Sequence, residues 1–265
     1  MIYLDKIGGL GITKPNLRQI YEGIEKTILA KSQDKTEAED LLATLNKISV
    51  LKENQDYYRA LVTTIFHGSG FKAVQLEPVL DEMFENSVFC DYRKVLKLNE
   101  KQQNALCKSN SIGYKQSLER VFKSTKKFEE KIKKHTSFLD YMNSYHGDAL
   151  FKDLSQNFSG LGKISTHHFL KECGYPQIKP DSVIGRIFSR LDLIEHKDNV
   201  SEISNCGDQI AEIMGYTHQR IDLVLVKFGA EGSSDIFSLD DGICREKKPD
   251  CDNCLVNEYC SFNDK

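Results

Sequence analysis

The chain is predicted to be all-α. Apolar residues recur at helical spacing through nearly its whole length, alternating strand patterns are scarce, and helix-start signals stand ahead of several apolar stripes. Tyr58, Leu61, Val62, Ile65 and Phe66 form one stripe, and Val79, Leu80, Met83 and Phe84 a second. Leu118, Val121, Phe122, Phe128 and Ile132 form a third, and Ile221, Val224, Leu225 and Phe228 a fourth. Asn99 followed by Gln102 reads as a capping box, and Thr217 stands where it would cap the helix carrying Ile221. The polar stretch from Lys31 to Glu39 reads as a loop or a solvated helix. No internal repeat is longer than a Gly-Leu-Gly triplet, present in Gly8-Gly9-Leu10-Gly11 and again in Gly160-Leu161-Gly162.

A chain of 265 residues with 40% apolar and 28% charged residues can bury a sizeable core. With only 5 Pro and 17 Gly it is not collagen-like, low-complexity or largely disordered. It has no run of about eighteen apolar residues, and Met1 to Lys6 has no basic flank leading into an apolar signal core. The expectation is therefore a soluble, non-secreted protein without a membrane partner. The net charge of −3 does not mark a general binder of polyanions. From Lys101 to Asp140, however, ten Lys and Arg face four Asp and Glu, with Lys123, Lys126, Lys127, Lys131, Lys133 and Lys134 among them. Such a run is either a solvated helix face or a surface for phosphates.

The eight cysteines are too sparse for a disulfide scaffold, and four of them crowd the last 22 residues. Cys244, Cys251, Cys254 and Cys260 are separated by six, two and five residues. Four thiolates on a short loop suit a 4Fe-4S cluster or a structural zinc ion. Zinc ribbons usually present two close pairs, whereas only Cys251 and Cys254 are so paired here. Cys90, Cys107, Cys173 and Cys206 are scattered and read as small buried side chains.

Leu150, Leu154 and Phe158 make a stripe that runs into Ser159-Gly160-Leu161-Gly162-Lys163, and helical spacing resumes from Ser165 to Cys173. Two glycines two apart permit a tight hairpin, whose amides at the start of the second helix can hold a phosphate; a plain helical corner has the same pattern. Lys179-Pro180-Asp181 then opens another amphipathic helix. Val183, Ile184, Ile187, Phe188 and Leu191 lie on one side of it, with Arg186 and Arg190 on the other. Asp181 sits at its N-cap position.

Hairpin, aspartate and four cysteines, in this order on one helical chain, resemble the helix-hairpin-helix DNA glycosylase superfamily, in the iron–sulfur branch typified by endonuclease III. The resemblance covers about residues 55 to 262. It implies two helical lobes with a DNA-binding cleft: a central bundle, 51–162, ending in the hairpin, and a second lobe, 1–50 plus 163–265, carrying the cluster loop 244–260. It implies a 4Fe-4S cluster on Cys244, Cys251, Cys254 and Cys260, and a hairpin from Leu154 to Ser165 that places Gly160, Gly162, Lys163 and Ser165 on DNA. Asp181 becomes the catalytic carboxylate, and Arg245, Lys247 and Lys248 are expected near phosphate. The partner is double-stranded DNA with a damaged or modified base, bound by a monomer in the cytoplasm, at the nucleoid, or in a eukaryotic nucleus.

The lysine of the bifunctional members falls on Ile164, which implies hydrolysis to an abasic site. The stretch Tyr57 to Leu61, then Gly68-Ser69-Gly70-Phe71, Phe84 and Ser137-Phe138, is similar to 3-methyladenine DNA glycosylase I. That similarity implies an alkylated purine substrate and a base pocket lined by His67, Ser69 and Phe71. Phe71 stands where that family has Trp and Thr63 where it has a base-recognising Glu, and that family's zinc site is not matched. Two alternatives stay open: a glycosylase and lyase acting on oxidised pyrimidines through Lys163, and a non-catalytic iron–sulfur protein that binds DNA.

Overall fold

The computed structural model describes residues 14–47, 49–70, 73–109, 114–146, 148–234 and 236–262. Its described residues are helical, with no strand and a single isolated bridge between Ser234 and Leu239. The Gly8 to Gly11 triplet and Phe71 lie outside them. The chain divides into two compact units, 1–49 with 176–265 and 50–175. The helices run in the order α1 (Lys14–Lys31) and α2 (Lys35–Leu45), then α3 (Asn54–His67), α4 (Ala73–Asn86), α5 (Tyr92–Leu96) and α6 (Glu100–Ser109). They continue as α7 (Lys115–His135), α8 (Phe138–Asn143), α9 (Ala149–Asn157) and α10 (Lys163–Glu172), and end with α11 (Ser182–Arg190), α12 (Val200–Met214) and α13 (His218–Gly229).

The sequence expectation put the second hairpin helix, α10, with the C-terminal lobe by cutting the chain after 162. In the structure α10 packs on α3 and α9, so the division falls after Tyr175 instead. The reason is burial. Phe169, Leu170 and Cys173 are part of the same core as Tyr58, Ile65, Phe128 and Phe158, and removing them from it would expose that apolar surface.

The core of unit 50–175 is aromatic. Phe138 is fully buried, stacked on Phe128 at 4.3 Å, tilted against Tyr57 at 5.2 Å and set edge-on to Phe169 at 6.2 Å. The predicted stripe on α3 is buried at every position, and that on α7 is buried from Leu118 to Phe128, with Ile132 half-buried. A polar brace ties α7, α8 and α9: Lys131 Nζ and the Tyr141 hydroxyl both donate to Asp153 Oδ2, each at 2.6 Å. Asn99 and Gln102 form the expected capping box at the start of α6, each backbone N–H donating to the other's side chain at 2.9 Å.

The core of unit 1–49 with 176–265 is mainly aliphatic and gathers around α13, which packs on α1, α11 and α12. Ile221, Val224, Leu225 and Phe228 of the predicted stripe are all buried. The polar stretch after Lys31 is a short break in which Asp34 caps α2 by accepting the Glu37 N–H at 2.9 Å. Arg220 on α13 is buried and donates to both carboxylate oxygens of Glu25 on α1 and to the Leu42 carbonyl on α2, so one guanidinium joins three helices. No helix among the described residues is long and apolar enough to cross a membrane.

Candidate functional site

The hairpin lies wholly in unit 50–175. α9 ends as Phe158 turns to extended backbone, the Leu161 N–H returns to the Phe158 carbonyl at 3.1 Å, and α10 starts at Lys163 with Gly162 as N-cap. Because Gly162 carries no side chain, it leaves the opening amides of α10 uncapped, and these have no acceptors within the helix. Lys163 and Ile164 are exposed beside them. Gly160 holds φ at +95°, and a Cβ there would meet Ile65 and the aliphatic stem of Arg120 at 3.1 to 3.3 Å. Gly162 has an ordinary negative φ, and a Cβ there would meet nothing within 4 Å. The turn therefore needs glycine at 160, whereas at 162 glycine leaves room for something outside the chain.

The residues expected around a base are partly committed elsewhere. The Ser69 hydroxyl donates to the Ile65 carbonyl at 3.2 Å and is paired with the Ser117 hydroxyl, which ties α3 to α7. The His67 ring stands edge-on to His168 at 5.5 Å, where α3 meets α10. Ser165 Oγ would lie 3.1 Å from a Cβ on Gly68, so this serine is wedged against the end of α3 rather than held out from the hairpin. His168 is buried, with Nε2 3.2 Å from Glu172 Oε1. Burial works to raise the Glu172 pKa, but Lys171 at 3.0 Å and then His168 outweigh it and hold this carboxyl well below the usual range.

The basic run on α7 is less available than its count suggests. Lys127 pairs with Glu130, Lys131 with Asp153 and Lys133 with Glu129, while Lys123, Lys126 and Lys134 are exposed.

Asp181 belongs to the other unit, where it caps α11. Its Oδ1 accepts the N–H groups of Val183 at 3.0 Å and Ile184 at 3.2 Å, leaving Oδ2 3.4 Å from Lys179 Nζ. The Asp181 N–H donates to the Lys179 carbonyl at 2.8 Å, which closes a three-residue turn around Pro180. The Lys179 N–H in turn donates to Asp222 Oδ1 on α13 at 2.6 Å. Asp222 is 2% exposed and was missed by the sequence reading. Its signal was an acid inside the apolar run Ile221, Leu223, Val224, Leu225 and Val226.

All four C-terminal cysteines line one small pocket, walled also by Leu191, Phe228, Ile243 and Val256. The loop is fastened at several points. The Cys244 N–H donates to the Phe228 carbonyl at 2.7 Å, the Leu255 N–H to Thr27 Oγ1 at 3.1 Å, and the Ser261 N–H to the Arg190 carbonyl at 2.8 Å. On α1, a Cβ at Gly23 would collide with Val256 at 2.5 Å, so glycine admits the loop there. Arg190 lies over the Phe262 ring and donates to the Arg245 carbonyl at 2.7 Å and to Cys244 Sγ at 3.4 Å. Burial pushes the Cys254 thiol up to about 11; a hydrogen bond from the Val256 backbone opposes this, and the neighbouring thiols of Cys244, Cys260 and Cys251 add to it. Four cysteine thiols on one loop are the kind of donor set a 4Fe-4S group takes, while no group of three or more His, Cys, Asp or Glu among the described residues is spaced to hold a metal ion. Arg245, expected near phosphate, is tied internally to Asp241 and to the Lys248 carbonyl, whereas Lys247 and Lys248 are exposed.

No family model matches this chain, and no curated protein matches it in sequence.

Proposed function

We propose that the protein is a DNA N-glycosylase that removes a damaged or modified base, with an alkylated purine as the first candidate, and leaves an abasic site. The observation that carries this reading is the split role of Asp181. Its Oδ1 is held by two backbone amides, while Oδ2 takes no backbone hydrogen bond and lies 3.4 Å from Lys179 Nζ. An ionised carboxylate fixed in this way stabilises the positive charge that develops on a deoxyribose as its base departs, and it can orient or deprotonate the attacking water. Reaching C1′ requires the nucleotide to be flipped out of the stack, so the enzyme must first hold the backbone. The uncapped amides of α10, the open approach at Gly162 and the exposed Lys163 suit a DNA phosphate. Ile164 is 41% exposed in the same turn and offers no amine, which favours hydrolysis over a Schiff-base route.

Cys244, Cys251, Cys254 and Cys260 would hold the 4Fe-4S cluster, which when bound supplies a structural clamp on the loop. Anaerobically purified protein should contain about four irons per chain; one zinc and no sulfide would overturn that assignment.

The test of function is Asp181→Asn. Asparagine keeps the cap but removes the charge. The variant should fold, bind a duplex carrying a tetrahydrofuran abasic-site analogue at least as well as wild type, and lose single-turnover base release by about two orders of magnitude. Normal release by the variant would reduce Asp181 to a helix cap. A borohydride-trapped adduct on abasic DNA would replace the hydrolytic route by a lyase.

A further inference from the structure

Asp222 is a carboxylate that the proposed chemistry does not itself use, yet it lies on the most enclosed helix of its unit. It is 2% exposed, and α13 packs on α1, α11 and α12. A polar side chain in that position needs a partner, because a carboxyl group loses its hydration on burial. Its Oδ1 accepts a 2.6 Å hydrogen bond from the Lys179 N–H, at the first residue of the turn that delivers Asp181.

From Lys179 the connection to Asp181 is short and stiff. Pro180 is buried and fixes its own φ, and the Asp181 N–H closes onto the Lys179 carbonyl at 2.8 Å. The Lys179 side chain then reaches forward, with Nζ 3.4 Å from Asp181 Oδ2. Both carboxylate oxygens of Asp181 are therefore referred to fixed points: Oδ1 to the first turn of α11, and Oδ2 to a lysine whose backbone is anchored on α13.

We infer that Asp222 is the positioning residue of the reaction: by clamping the Lys179 amide it sets where the Asp181 carboxylate points, and through Asp181 it sets the rate of base release. This rests on the reading of Asp181 as the carboxylate that faces the sugar. Catalytic geometry is sensitive at this level, since a displacement of about 1 Å can cost about 100-fold in rate. A residue that merely filled the core would instead alter stability and the fraction of folded protein, not the rate of each folded molecule.

The experiment compares Asp222→Ala and Asp222→Asn with wild type in the full-length, cluster-bearing protein. Alanine removes the acceptor, whereas the asparagine carbonyl can still accept the Lys179 N–H. On methylated duplex DNA, the single-turnover rate of Asp222→Ala, corrected for active fraction, should fall about 100-fold. Its affinity for the tetrahydrofuran duplex should change less than about twofold, and Asp222→Asn should recover most of the rate. Hydrogen exchange provides a readout independent of activity. In Asp222→Ala the amides of residues 179 and 181 to 184 should exchange faster, while those in the middle of α13 keep their protection.

Unchanged exchange at residues 179 to 184, or a wild-type rate per active molecule in Asp222→Ala, would overturn the inference while leaving the glycosylase reading intact. If Asp181→Asn releases base normally in the same assay, the glycosylase role of Asp181 fails, and the inference that depends on it falls too. Loss of the fold in Asp222→Ala together with normal rate and exchange in Asp222→Asn would show that the carboxylate charge is dispensable but would not separate clamp from filler. Asp222→Ser, whose shorter hydroxyl cannot reach the Lys179 N–H, then decides by the same two readouts.

Discussion

Gly160 and Gly162 look equivalent in the sequence but do different physical work. Gly160 adopts φ +95° with Ile65 and Arg120 against it, so Gly160→Ala should cost about 1 to 3 kcal/mol of stability, read as a lower urea midpoint. Gly162 is an N-cap without a side chain in open space, and Gly162→Asp would supply the missing cap acceptor. That substitution should stabilise the protein by a few tenths of a kcal/mol, plus about 0.3 to 1 kcal/mol from the helix dipole, and at the same time weaken binding to the tetrahydrofuran duplex. The new carboxylate would occupy the opening amides of α10 and repel a phosphate. A higher melting temperature with unchanged duplex affinity would make the hairpin a structural corner and nothing more.

At the scale of elements, Asp153 on α9 illustrates how one carboxylate holds three helices. Burial works to raise its pKa, but hydrogen bonds from Lys131, Tyr141 and Tyr145 outweigh it, and its pKa lies below that of an ordinary carboxylate. A group depressed in the folded state stabilises fully above its unfolded pKa of roughly 4 and loses that contribution as pH falls through the folded value. Asp153→Asn should therefore cost about 2 kcal/mol at pH 7, and the gap from wild type should shrink in urea titrations taken stepwise below pH 4. Much at this scale was legible beforehand. The apolar stripes on α3, α7 and α13, the capping box at Asn99 and the caps at Asp181 and Thr217 are local patterns, and their causes act within a few residues. What was not legible depends on partners distant in sequence: the hairpin turn at Gly160 meets Ile65 and Arg120, α10 packs on α3, and Ser69 is taken up by Ser117. Asp222 clamps Lys179 across 43 positions, and no helical period announces such a bond.

For the molecule as a whole, the net charge of −3 works against a polyanion, so the proposed duplex binding would rest on a few cations placed where acids are not. The structure separates cations already used from cations still available. Lys131 is 14% exposed and bound to Asp153, whereas Lys163 is exposed at the uncapped start of α10. Each lysine that neutralises a phosphate releases counterions, and the slope of log affinity against log salt then steepens by about 0.9. Lys163→Gln should lower the slope for the tetrahydrofuran duplex by about 1. Lys131→Gln should destabilise the α7 to α9 brace but leave the slope unchanged, provided binding is measured well below the melting temperature of both proteins. Fluorescence titrations from about 50 to 200 mM salt read both values, a range over which a protein with several phosphate contacts loses orders of magnitude in affinity. Equal slopes for wild type and Lys163→Gln would remove the hairpin lysine from the interface. A slope lowered by Lys131→Gln would mean that the brace opens on DNA and surrenders its lysine to phosphate.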